Sequence, residues 1–269
     1  MKYRFITTTL SFISFLIASP QTSAETVLET IQKTGVVKVA IREDAPPFGY
    51  LDSNGNLQGY CLDFFALFRK KLTQVLEREV LAIRLLKSNP DNRFELVDRG
   101  LVNLECGPNT IRNNIPDGVT FSTDFLTTGT QFLIKGNSAK EINLESNLQN
   151  VRIGLIRRTT TEEFITNRYP LAKIQKFQGV TARMRGVQAL EQGKIDTFVS
   201  DGILLRGEAA IQNLSLEEYS LIPQPPITRD RYGMIIPSGD RSWHNLVNQI
   251  INSKESQELL NQWFGTNRE

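Results

Sequence analysis

The chain has 269 residues, 40% hydrophobic and 22% charged, an ordinary globular composition that allows one large domain or two modest ones. Its 31 basic residues face 29 acidic ones, and Lys2 and Arg4 lie in an N-terminal segment expected to be removed, leaving 29 against 29. A neutral chain offers no basic excess for nucleic acid or an anionic membrane, and one histidine with two cysteines excludes a Cys/His zinc cluster or a multi-His metal site.

The first 24 residues read as a secretory signal peptide: a basic start, an apolar core over Phe12 to Ala18, and Thr22-Ser23-Ala24 as small residues for cleavage. The apolar core is too short to span a bilayer, no later segment reaches that length, and no cysteine near the cleavage point invites lipidation. An exported, soluble protein is expected. In an oxidising compartment Cys61 and Cys106 invite one disulfide, the alternative being two separate buried thiols.

Val36 to Ile41 predicts a strand after Gly35. Arg42 to Tyr50 predicts a loop, because Pro46 and Pro47 forbid helix, and Asn54-Gly55 a turn. From Gly59 a helix carries Phe65, Phe68, Leu72, Val75 and Leu76 on one face. Val80 to Leu85 is a second strand, Pro90 to Arg99 a helix closed by Gly100, and Leu101 to Leu104 leads a third strand. Gln131 to Lys135 is a short strand, and the polar interval 137–150 reads as the crossing into a second unit. There Val151 to Ile156, Ile174 to Phe177 and Ile195 to Val199 predict strands. Helices are expected after Thr159-Thr160-Thr161-Glu162-Glu163, over Arg183 to Glu191, and over Ile203 to Gln212. Tyr232 to Pro237 is a last strand, and Trp243 to Phe264 is helical with a break near Ser253. Strand and helix alternate twice, the pattern of two α/β units of roughly a hundred residues each.

Ligands of open α/β sheets sit beyond the carboxyl ends of strands. The polar residues that follow strands here are Arg42, the run Asn109-Thr110-Ile111-Arg112, Thr159 to Thr161, and Asp201, two sets from each unit. Arg112 with Asn109 and Thr110 offers donors for a carboxylate, and Asp201 an acceptor for an ammonium. Thr159 to Thr161 present hydroxyls at a helix start, Phe48 and Tyr50 an apolar wall, and Arg42 a second cation. A zwitterion with one further negative charge, an acidic amino acid, would satisfy the set. Arg42 could instead pair with Glu43 or Asp44, and Asp201 could cap the helix from Ile203.

In order, these motifs resemble the type II periplasmic solute-binding proteins that feed ABC importers of amino acids (solute-binding protein family 3), over nearly the whole mature chain. The resemblance rests on Val39-Ala40-Ile41-Arg42, Pro47-Phe48-Gly49-Tyr50, Gly59-Tyr60-Cys61-Leu62-Asp63, Glu105-Cys106-Gly107 with Asn109-Thr110, Thr159-Thr160-Thr161-Glu162, Asp196, Asp201 and Trp263-Phe264-Gly265. It implies a two-lobe fold with the ligand cleft between the lobes, residues 25–130 and 229–269 in lobe 1 and 131–228 in lobe 2. Two hinge crossings are implied near Thr128 to Gln131 and Thr228 to Tyr232. Arg42-Glu43 and Glu105-Cys106-Gly107 look most like the glutamate/aspartate-binding branch. There Arg42 would meet the side-chain carboxylate, Asp201 the α-ammonium, and Arg183 a further side-chain contact. Three departures stand out: Arg112 lies closer to the loop glycine than the family's carboxylate-binding Arg, Arg158 replaces the glycine that opens the threonine turn, and Asn103 stands where Asp is common.

The resemblance implies a periplasmic, monomeric, non-enzymatic protein without cofactor, delivering an amino acid to a membrane permease. The alternatives are an enzyme on the same fold, such as a cyclohexadienyl or prephenate-type dehydratase with Glu43, Asp44, Glu105 or Glu162 as acid, or an amino-acid sensor subunit.

Overall fold

The structure is a computed structural model, and it describes residues 25–136, 142–215 and 217–265. The expected signal peptide over 1–24 and part of the polar interval from residue 137 lie outside the described residues.

Two five-stranded sheets dominate, in the orders β5-β1-β6-β13-β7 and β10-β9-β11-β8-β12. In the first, β1 (Val36–Arg42) runs parallel to β5 (Ala82–Ser88) and β6 (Leu104–Cys106). The antiparallel pair β7 (Val119–Thr128) and β13 (Asp230–Pro237) completes it. In the second, β9 (Arg152–Ile156) runs parallel to β10 (Lys173–Phe177) and β11 (Thr197–Asp201), and β8 (Thr130–Lys135) runs antiparallel to β11 and β12 (Tyr219–Ile222). The fold is the two-lobe α/β architecture. The expected loop over Arg42 to Tyr50 contains two short strands instead, β2 (Asp44–Ala45) and β3 (Gly49–Leu51), which with β4 (Leu57–Gln58) form a small antiparallel sheet.

Helices cover both sheets. On the first lie α1 (Val27–Thr34), α2 (Tyr60–Val75), α3 (Arg93–Asp98), α7 (Arg241–Ile251) and α8 (Lys254–Phe264). On the second lie α4 (Thr160–Arg168), α5 (Ala182–Glu191) and α6 (Gly202–Ile211). The sequence reading did not include α1, although Thr26 and Glu29 form a complete capping box at its start. The last helix breaks at Ser253, whose side chain caps α8 by accepting from the Ser256 N–H.

Phe48, expected as a wall of the ligand cleft, belongs instead to the core of the first lobe. It is fully buried, with its ring 5.6 Å from Tyr232 and 5.1 Å from Phe264. An aromatic ring surrounded by rings buries most area there, which is why it turns inward. Cys61 at the start of α2 and Cys106 at the end of β6 are disulfide-bonded, with Cα atoms 5.7 Å apart.

The chain passes from the first sheet to the second between Thr128 and Thr130, and returns between Ile222 and Asp230. The two crossings touch. The Thr130 N–H donates to Thr228 Oγ1 at 2.8 Å, and the Thr228 hydroxyl reaches Thr130 Oγ1 at 3.0 Å. Gly129 lies so close to the return crossing that a Cβ there would fall 1.9 Å from the Thr228 carbonyl oxygen. The two crossings therefore lie side by side with nothing larger than hydrogen between them at Gly129.

Candidate functional site

The carboxyl ends of the parallel strands in both sheets converge on one cleft. On the side of the first lobe, Arg42 is the last residue of β1 and is 2% exposed. Its Nε and Nη2 donate to the two oxygens of Asp44 at 2.7 and 2.8 Å. The expected role of Arg42, holding a ligand carboxylate, meets a competitor here: two of its donors form a bidentate pair with a buried acid two residues on.

A second guanidinium, which the sequence reading passed over, stands beside it. Arg93 opens α3 and is 4% exposed. Its Nη1 donates to Asn109 Oδ1 at 3.1 Å, and its buried Nε–H has no acceptor in the protein. Asn109 in turn donates from Nδ2 to Glu105 Oε2 at 2.6 Å, and the Ser88 hydroxyl donates to Glu105 Oε1 at 2.7 Å. Burial, then the neighbouring Arg42, lower the Arg93 pKa to about 10, so it stays charged at neutral pH. Asn109, expected to touch ligand, is spent between Glu105 and Arg93.

On the side of the second lobe, Asp201 ends β11 and is 5% exposed. Its Oδ1 accepts from the Thr161 hydroxyl at 3.3 Å, and its Oδ2 accepts from the hydroxyl of Tyr232 in β13. Burial raises its pKa to about 6, with Asp230 adding to the rise and Tyr232, Arg183 and Thr161 opposing it. Arg183 on α5 is 3% exposed; its Nη1 donates to Ser200 Oγ at 2.8 Å and its buried Nε–H is also without an acceptor. Thr159 caps α4 by accepting from the Glu162 N–H.

The two sides meet. Thr110 and Thr160 hydroxyls stand 3.2 Å apart across the cleft, and Arg158 Nη1 lies 3.0 Å from Asp91 Oδ1. Between the lobes is a cavity of about 30 Å³, walled by Arg42, Arg93 and Thr110 on one side and Thr161, Arg183 and Asp201 on the other. That is the scale of one or two water molecules, so a larger solute enters only when the lobes separate.

Two further expected residues do not line this cavity, although the basin of Arg112 adjoins it through Thr159 and Thr160. Arg112, half-buried, stacks over Phe94 at 5.0 Å and lines an open basin of about 410 Å³ with Arg158, Thr159, Thr160, Glu163 and Lys176. Its guanidinium is turned onto an aromatic face, and Arg93 takes the inner place instead. Tyr50 lines a separate, mostly apolar cavity of about 280 Å³ with Pro46, Leu51, Val180, Met184 and Ile211. The signal for Arg93 was present in its position just past the carboxyl end of β5, the same rule that singled out Arg42.

Chemically, the cavity holds three buried guanidiniums and the buried carboxylates of Asp44, Glu105 and Asp201 around it. Arg42 and Asp44 satisfy one another. Two guanidinium N–H donors lack acceptors, and the Asp201 carboxylate that lines the cavity keeps lone pairs beyond its bonds to Thr161 and Tyr232, a set that suits a solute carrying both negative charge and an ammonium.

The sequence pattern of the bacterial extracellular solute-binding proteins, family 3, matches residues 37–266. The chain is 25% identical to the glutamate/aspartate import solute-binding protein of Escherichia coli (strain K12) over 249 residues, 90% of this chain and 80% of that protein. It is 24% identical to the L-glutamate/L-aspartate-binding protein of Pseudomonas aeruginosa over 265 residues, 94% of this chain and 85% of the relative. Among solved structures, an ancestral amino-acid-binding protein, a precursor of cyclohexadienyl dehydratase, superposes with a TM-score of 0.75 at 23% identity, covering 88% of this chain and 99% of that one. The chain belongs to the bacterial extracellular solute-binding proteins of family 3.

Proposed function

We propose that this family-3 solute-binding protein captures an acidic amino acid, glutamate or aspartate, between its lobes outside the cytoplasm and delivers it to an ABC permease in the membrane. The observation that carries the reading is the pair of orphaned donors: buried Arg93 and Arg183 each keep an Nε–H without an acceptor, in a cavity shared with the carboxylate of Asp201. A buried donor left unpaired costs free energy that an incoming anion recovers. In this reading Asp201 takes the α-ammonium, and Arg93 and Arg183 take the carboxylates, with Thr110 and Thr161 supplying hydroxyls. Relatives that bear the names of glutamate/aspartate-binding proteins support the same choice.

Residues 25–130 and 229–269 act as one lobe and 131–228 as the other, opening about the paired crossings to admit the solute and closing to exclude water. Residues 1–24 are an export signal, and the mature chain works as a monomer. Glu105 supports binding over turnover: it is fully buried behind Asn109 and does not line the cavity.

The test is calorimetry of the ligand-stripped chain against the common amino acids. Tight binding of glutamate or aspartate that Arg93→Ala or Arg183→Ala weakens at least tenfold supports the reading. Binding of neutral or basic amino acids with no response to acidic ones sinks it.

A further inference from the structure

We propose that Glu105, which the solute never touches, is the positioning residue for Arg93, acting through the amide of Asn109 to make the cleft prefer an anionic side chain. The inference rests on the reading above that the solute is an acidic amino acid.

Glu105 sits in the middle of the first sheet, on β6 between Ala40 of β1 and Ile235 of β13. Its neighbours Leu104 and Cys106 enter the core beneath α2, and Cys106 is bridged to that helix. Alternation therefore sends Glu105 to the opposite face, where it is completely buried. It makes no ion pair within 4.0 Å among the described residues and it does not line the cavity. A carboxylate in that position is costly unless its lone pairs are used. The structure uses them on Ser88 at the end of β5 and on Asn109 in the loop beyond β6.

The consequence is directional. An amide has a donor end and an acceptor end, and its partners decide which way it faces; here the acceptor Glu105 and the donor Arg93 agree. Without a proton, Glu105 Oε2 can only accept, so it takes Asn109 Nδ2, and this turns Asn109 Oδ1 to the Nη1 of Arg93. With Nη1 tethered, the remaining donors of Arg93 are held at the cavity it lines. Gly107 permits the approach, since a Cβ there would fall 3.1 Å from Glu105 Oε1 and 3.2 Å from Arg42 Cγ.

Glu105→Met, Glu105→Gln and Asn109→Ala separate pose from stability in the full secreted chain. Two readouts apply. One is the Nε–H resonance of Arg93 in ¹⁵N-labelled, ligand-free protein, assigned by its loss in Arg93→Lys. The other is the ratio of glutamine to glutamate dissociation constants. Glu105→Met and Asn109→Ala are expected to move the Arg93 resonance to the position of exposed arginines and to lower the ratio about tenfold, the scale of one hydrogen bond to a charged group. Glu105→Gln, which still offers an acceptor oxygen to Asn109, keeps the resonance and holds the ratio within about threefold. In an Arg93→Lys background Glu105→Met lowers the ratio no further.

An unmoved resonance in both Glu105→Met and Asn109→Ala overturns the proposal. So does a Glu105→Gln variant that falls as far as Glu105→Met, because then the buried charge and not the pose is the cause. If the parent chain prefers no acidic amino acid, the functional reading fails, and the resonance alone still decides whether Glu105 positions Arg93. Where Glu105→Met does not fold, Asn109→Ala carries the same two readouts.

Discussion

The two walls of the cleft are built on different principles. On the first wall the buried guanidiniums are tied within their own lobe: Arg42 to Asp44, and Arg93 to Asn109 and on to Glu105. A disulfide fastens the strand that carries Glu105 to the helix behind it. On the second wall Asp201 takes a hydrogen bond from Tyr232, a residue of the first sheet. Its environment is complete only when the lobes meet. The first wall is preorganised; the second is assembled by closure. Preorganised groups supply affinity without an ordering cost, while a group completed by closure reports whether closure has happened.

The largest effect should come from removing the acid of the assembled wall. Asp201→Ala leaves an ammonium without its counter-charge in a buried site, and truncating one partner of such a pair costs about 2–5 kcal/mol. Calorimetry should show amino-acid affinity falling by at least about thirtyfold, for neutral and acidic ligands alike. Arg93→Ala, on the preorganised wall, should instead discriminate, hurting acidic ligands more than neutral ones.

The preorganised wall can be loosened without touching the cavity. The bridge between Cys61 and Cys106 closes a loop of sequence separation 45, and the chain-entropy account gives about 4 kcal/mol for a loop of that size. Replacing both cysteines by alanine should lower the denaturant midpoint of the whole chain accordingly. If the proposed preference for acidic solutes is the same in the folded variant as in the parent chain, the hydrogen-bonded relay and not the bridge sets the pose of Arg93.

Acidity acts chiefly on the assembled wall. Asp201 holds its proton up to about pH 6, more tightly than the unfolded chain, where an aspartate releases it near about 4. The folded state thus binds the extra proton between those values, so the stability of the ligand-free chain falls as pH rises through that window, by about 1.4 kcal/mol per unit at most. Ligand affinity should run the other way: on the proposed role of Asp201 an ammonium needs the ionised acid, so amino-acid binding is expected to weaken as pH drops through about 6. Asp201→Asn removes the stability slope, and stability at neutral pH should rise as binding is lost. Tyr232→Phe keeps the ring beside Phe48 and deletes the hydroxyl that favours the ionised acid. It should move the binding midpoint above pH 6 and cost about 1 kcal/mol of affinity at pH 7. A midpoint that stays put would mean Tyr232 contributes shape alone.

The contrast also explains what the sequence made visible. Strands such as β1 and β9 carry near-continuous apolar runs because both faces are covered. The long edge strand β7 reads Val-Thr-Phe-Ser-Thr-Asp-Phe-Leu-Thr-Thr, with too many polar residues to stand out as buried, and it escaped. In the site, Asp201, Arg183 and Thr159 to Thr161 follow strands or open helices, so position alone pointed to them. Arg112 and Arg93 show where position stops. Both lie against Phe94: Arg112 at 5.0 Å from the ring centroid and Arg93 at 5.3 Å. Only the tertiary partner, Asn109 held by Glu105, decides which of the two is drawn inward. A run such as Asn89-Pro90-Asp91-Asn92-Arg93 reads as helix-start chemistry, and burial of its arginine is a property of the packed loop beyond β6.

The smallest expected effect is at the rim, where the walls touch through exposed groups. Arg158 pairs with Asp91 across the cleft, the two side chains 57% and 50% exposed. Arg158 also holds a left-handed backbone, φ 60°, where glycine is at ease and a side chain costs about 1 kcal/mol. Arg158→Gly relieves that cost and deletes the ion pair, so it should raise the thermal midpoint slightly while weakening solute affinity about threefold, within the 0–1 kcal/mol of an exposed pair. Asp91→Ala should weaken affinity equally with no gain in stability. Both deficits should vanish at high salt, where rim charges are screened, whereas the Asp201→Ala deficit should persist. Equal salt sensitivity for all three variants would erase the distinction between an exposed rim and a buried, assembled wall.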